Sequence, residues 1–226
     1  MNNTWKVINE AGLQFFGKMN ASISHEIKNV LAIVNESAGL LEDLTGMAEQ
    51  GMPVDSAKLR SIAGKIQKQV RRADLIVKNM NTLAHSIDEQ EKKIDTGELL
   101  AFMAALSKRL ASMQGITFEP VMSENPPEII TNPFLLETML WRCMDFFMCT
   151  AGAEKTIEVS VAANDQGIDI HFTGLQEPGV KQDPSFPGEM EHALASALCG
   201  KIELNEGAKK ITLSLPLTIH EAEQVR

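Results

Sequence analysis

His25, Glu26, Lys28 and Asn29 stand together in the stretch SISHEIKNVLAIVNESAGLL, residues 22–41. A histidine followed by a glutamate suits two chemistries. The first is metal binding: a helical His-Glu-x-x-His places two imidazoles one turn apart on one zinc ion, with the glutamate as base. Here Asn29 takes the place of the second histidine, and His85, His171, His192 and His220 have no spacing that restores it. No metal site is expected. The second chemistry is phosphoryl transfer. An imidazole in water is a nucleophile at neutral pH and accepts a phosphoryl group on one ring nitrogen. Its other nitrogen must be held or relieved of its proton, which an adjacent carboxylate such as Glu26 does. Lys28 shares the helix surface and eases the approach of phosphate charge. Asn29 orients a water or a phosphoryl oxygen without competing as a nucleophile. The plain alternative is a solvated histidine with no task.

Such residues need an element to hold them outward. From Leu13 to Thr45 the apolar positions Phe16, Ile23, Ile27, Val30, Val34, Leu41 and Leu44 follow alternating three- and four-residue steps, with Asn20 and Ser37 in the polar slots of the same register. With Ile23 and Ile27 as core positions, His25 falls on the side farthest from a partner helix. GMAEQGMPVD, residues 46–55, breaks the pattern, and Asp55 or Ser56 caps a second helix with Leu59, Ile62, Ile66, Gln69, Ala73, Ile76, Met80, Leu83 and Ile87 on its seam. Two helices cannot enclose both seams. Either a second copy completes a four-helix bundle or the rest of the chain covers the hairpin, and the dimer is the expected arrangement. Residues 1–12 read as the remnant of an upstream segment or as a frayed start.

After about residue 95 the pattern changes. A helix stopped by Gly115 and another begun by Pro133 precede two hairpins of alternating residues, Ile157 to Val161 with Ile168 to Phe172, and Ile202 to Leu204 with Ile211 to Leu217. The fold class expected is α+β: a helical hairpin over 1–92 forming a dimeric four-helix bundle, then a small α/β sandwich over 93–226.

Composition narrows the partners. The net charge of -9 argues against a non-specific grip on nucleic acid or anionic lipid. Cys143, Cys149 and Cys199 form no Cys-x-x-Cys pair, which fits a reducing compartment. No run reaches the roughly 18 apolar residues of a membrane span, so a cytoplasmic protein is expected.

The stretch SISHEIKNVLAIV resembles the H box of the dimerisation and histidine-phosphotransfer domain of two-component sensor histidine kinases. The resemblance implies that His25 is the phosphoacceptor, Glu26 its acid/base partner and Asn29 the residue that positions water in phosphatase action. The family's usual proline after this last position is Val30 here. The later helix NPFLLETMLWRCMDFF resembles the family's N box, yet Arg142 and Phe146 stand where two magnesium-binding asparagines are expected, and neither supplies an amide oxygen. Thr173 stands at the position of the adenine-reading aspartate, with Gly174 and Gly179 nearby. Gly188 is alone in the later glycine-rich segment, and the stretch between is too short for the family's ATP lid.

The chain is thus similar to dimeric histidine phosphotransferases that carry a degenerate kinase-like domain. The expected function is passage of a phosphoryl group between receiver-domain aspartates through His25, without ATP and with magnesium on the partner receiver. Ser22, Lys28, Ala32, Arg71 and Arg72 are the expected receiver-docking residues, and the partners expected are a response-regulator receiver and a second copy. The alternatives are an ATP-dependent sensor kinase with a divergent nucleotide site, and a non-catalytic regulator or phosphatase of such a pathway.

Overall fold

The structure, a computed structural model, describes residues 3–150, 156–174, 186–205, 207 and 210–219. It is α+β: two long helices, then three shorter helices and a mixed five-stranded sheet among the described residues. The chain divides into two compact units, residues 20–82 and residues 83–226 together with 1–19.

The first unit is the hairpin of α1 (Asn3–Glu49), from residue 20 on, and α2 (Ser56–Ser86). Gly51, at φ +78°, turns the chain after α1, and Asp55 caps α2 by accepting the Ala57 N–H at 2.8 Å. The buried residues Ile23, Val30, Ser37 and Leu44 on α1, and Ile62, Gln69 and Ile76 on α2, each recur every seventh position. The alternate seam residues, Ile27, Val34 and Leu41 with Leu59, Ile66 and Ala73, are half-buried, and Met80 is exposed. Asn20, placed in the seam by its spacing, is exposed instead, because Met19 and Ile23 take the buried positions around it.

In the second unit, the beginning of α1 is helical from Asn3, ten residues before the seam pattern becomes readable at Leu13. Its buried stripe is Ile8, Ala11, Phe15 and Met19, a three-and-four spacing that selects Phe15 over the half-buried Phe16. The Phe15 ring lies 5.9 Å from Phe134 and 6.2 Å from Trp141, both on α4 (Pro133–Thr150). Gly12 permits this approach, since a Cβ there would lie 2.9 Å from the Phe134 ring. Lys18 adds an ion pair to Asp145 at 2.8 Å and lies over Trp141.

The sheet has the order β2-β4-β5-β7-β6, with β2 (Thr117–Val121), β4 (Thr156–Asn164), β5 (Gly167–Thr173), β6 (Lys201–Asn205) and β7 (Lys210–Pro216). β2 runs parallel to β4 and the other pairings are antiparallel. Alternation sends Ile157, Val159, Ile168, Ile170, Phe172, Ile202, Ile211, Leu213 and Leu215 to one buried face. There Phe172 stacks on Phe147 of α4, and α3 (Thr96–Met113) and α5 (Glu189–Ala197) join the helical layer. The two central hairpins appear where alternation placed them. β1 (Lys92–Asp95), β2 and β3 (Glu128–Thr131) do not stand out in the sequence, being short and, in β2, interrupted by Pro120. β1 and β3 pair antiparallel as a separate ribbon.

Candidate functional site

His25 is exposed on α1, as the register of Ile23 and Val30 requires. Glu26, the next residue, turns toward α2 and pairs with Arg72, with Oε2 3.2 Å from Nη2, and is itself largely covered. The pair holds the carboxylate of the residue that follows His25 in sequence. Lys28, Asn29 and Ala32 are exposed along α1, and Arg71 and Arg72 along α2, so these five form part of the hairpin's open surface. Lys65 to Glu36, at 3.7 Å, is a second cross-helix pair further along.

Ser22 does not join them. It is 2% exposed, and its hydroxyl has no hydrogen-bond partner among the described residues. The physical reason is its place one helical turn before Glu26, on the stripe of α1 that faces α2. Ser22 is therefore corrected from a docking residue to a packing residue.

The second group of interest surrounds α4. Arg142 Nε donates to Glu191 Oε1 at 2.6 Å, and the other Glu191 oxygen accepts the Gly188 N–H at 2.8 Å across the first turn of α5. The Glu191 side chain is 3% exposed, and these two donors meet its charge among the described residues. One turn further along α4, Phe146 stacks on Phe186 with ring centroids 4.1 Å apart and planes 13° from parallel. Thus the two α4 positions without asparagine contact the first turn of α5, through Glu191, and the residues just before it, through Phe186. Thr173 ends β5 opposite Lys210 and Glu158, and Gly174 follows at φ +120°. Gly179 and the stretch read as a shortened lid lie outside the described residues.

The residues that composition and motif did not reveal are Glu191, Phe186, Ser86 and Glu137. Glu191 and Phe186 are far from α4 in sequence, and their only signal was the unexplained charge of Arg142 and ring of Phe146. Ser86 donates toward Glu137, a buried carboxyl that burial pushes up to about 7 against the opposing effects of the Ser86 hydrogen bond and Lys92. Among the described residues no group of three or more His, Cys, Asp or Glu side chains is placed to hold a metal ion, and no helix is long and apolar enough to cross a membrane. Cys143, Cys149 and Cys199 are free thiols.

No family model matches the sequence, and no curated protein matches it. Among solved structures, the chain is similar to the histidine kinase AdeS of Acinetobacter baumannii, with 16% identity and a TM-score of 0.47 over 85% of this chain and 98% of that one. It is similar to the ATP binding domain of PrrB from Mycobacterium tuberculosis, with 19% identity and a TM-score of 0.47 over 57% of this chain and 98% of that one. It is also similar to the catalytic domain of the histidine kinase ThkA, with 13% identity and a TM-score of 0.46 over 59% of this chain and 99% of that one.

Proposed function

We propose that the chain is a cytoplasmic phosphorelay protein of the two-component type, in which His25 takes a phosphoryl group from a receiver-domain aspartate and passes it to another. The observation that carries this reading is an exposed histidine whose neighbouring carboxylate is pinned by Arg72. In the transfer, the lone pair of one imidazole nitrogen forms a P–N bond while the aspartyl P–O bond breaks. The proton on the other ring nitrogen then leaves to Glu26 or water, and attack by the next aspartate reverses the steps. A magnesium ion held by the receiver would supply the balancing charge for the phosphoryl oxygens.

Two further observations support the reading. The hairpin buries one of its two heptad positions and leaves the other half-covered, with Leu31, Val70 and Val77 exposed, which suits closure by a second copy. On the α4 side, Arg142 and Phe146 carry no oxygen of their own for magnesium and are engaged with Glu191 and Phe186, which supports a reading without ATP.

Lys28, Asn29, Ala32, Arg71 and Arg72 are the receiver-docking surface in this reading. Incubation with a phosphorylated receiver and no nucleotide should label the chain. Equal labelling of His25→Ala would remove His25 from the account, and release of inorganic phosphate faster than onward transfer would make the protein a phosphatase.

A further inference from the structure

The helix α2 carries seven lysines and arginines and a single acid, Asp74, in a chain whose net charge is -9. Two of the seven reach across to α1, Lys65 to Glu36 and Arg72 to Glu26. Arg60, Lys68, Arg71 and Lys78 are exposed and make no ion pair among the described residues. Asp74, within a turn of Arg71 and Lys78, pairs with neither.

These four cations share one face. At 3.6 residues per turn Arg60, Lys68, Arg71, Leu75 and Lys78 fall within about a quarter turn of one another, opposite the buried Ile62, Gln69 and Ile76. The row is about 27 Å long at 1.5 Å per residue. Lys68 and Leu75 each stand three residues after a side chain that reaches α1, Lys65 and Arg72, so the row leans toward that helix. Arg72 meets the residue that follows His25, and in an antiparallel hairpin Arg71 and Leu75 therefore bracket the level of His25.

A helix face that only meets water mixes charges of both signs. This one does not. Lys65, Lys68, Arg71 and Arg72 stand three and four residues apart, where like charges repel and weaken the helix. Leu75, 63% exposed within the row, adds an apolar contact. Such a row fits a compact acidic partner better than a long polyanion. A nucleic acid or an anionic membrane would run past the ends of the row and meet the negative charge of the remaining chain. The receiver that a relay through His25 requires has the matching chemistry, because its donor group is an acyl phosphate beside magnesium-holding oxygens.

We propose that Arg60, Lys68, Arg71 and Lys78 form an electrostatic guide for the acidic face of a receiver, with Leu75 as its apolar contact. The guide sets how often the receiver reaches His25, not how fast the phosphoryl group moves once it is there. This rests on the proposed relay and extends its docking surface by Arg60, Lys68, Leu75 and Lys78.

The test uses receiver domains of the same organism, each phosphorylated with acetyl phosphate, and takes the one that labels full-length wild type fastest. Single-turnover labelling is followed against receiver concentration, which separates the second-order rate from the rate at saturation. The second-order rate of the wild type should fall about tenfold between about 50 and about 300 mM sodium chloride. Arg60→Glu, Lys68→Glu and Lys78→Glu combined should lower it at least about tenfold at the lower salt and remove most of the salt dependence, with the loss recovered at high receiver concentration. Leu75→Ala should raise the half-saturating concentration and keep the salt dependence. A wild-type rate indifferent to salt, a triple variant equal to wild type, or a loss that persists at saturation would overturn the guide while leaving the relay in place. Binding of duplex DNA tighter than that of the receiver, abolished in the triple variant, would assign the row to nucleic acid instead. Failure of every receiver to label the wild type would overturn both the relay and the guide.

Discussion

Arg72 matters more for the placement of Glu26 than for stability. Exposed ion pairs contribute roughly 0.2–1 kcal/mol, so Arg72→Ala should change the unfolding free energy by less than about 1 kcal/mol while slowing phosphoryl transfer onto His25. A rate equal to wild type would show that Glu26 needs no holding. Arg142 is the opposite case, because its partner is buried. Removing the guanidinium in Arg142→Ala takes from buried Glu191 its charged partner and leaves the Gly188 N–H among the described residues, and a loss of about 3 kcal/mol is expected in urea denaturation. The exposure of His25 was readable from the positions of Ile23 and Ile27. The burial of Ser22 was not, because its neighbours in sequence do not reveal which flank of the seam α2 covers. Nor was the Arg142–Glu191 pair, whose members meet only once α5 is folded beside α4.

At the scale of elements, the hairpin is specified by its seven-residue repeat and by Gly51 and Asp55 at the turn, all visible in the sequence. One break in its regularity is Gln69, buried with its Oε1 unpartnered among the described residues. A polar seam residue costs stability and narrows the choice of register and partner number. Gln69→Leu should therefore raise stability by about 1 kcal/mol and broaden the oligomeric distribution seen in sedimentation; a single, less stable dimer would contradict this role. The start of α1 was harder to read, since its register is set by Phe134 and Trp141 of α4, more than a hundred residues away, and not by α2. Phe15→Ala should cost the second unit about 3–5 kcal/mol, measured by chemical denaturation. Short strands such as β1 and β3 carry too few residues for alternation to show, and their pairing is a tertiary decision.

For the whole molecule, the proposed relay needs the exposed His25 on α1 and no nucleotide at α4, where Arg142 and Phe146 are engaged with Glu191 and Phe186. A mixture of chain, ATP and magnesium is expected to show neither binding heat nor autophosphorylation. The sharpest test is phosphoryl transfer from a receiver in the complete absence of nucleotide, with the modified residue located by mass spectrometry under alkaline conditions that preserve phosphohistidine. The account predicts a single phosphate on His25, lost to a second, unphosphorylated receiver when one is added. A phosphate found elsewhere, or on His25 only when ATP is supplied, would contradict it.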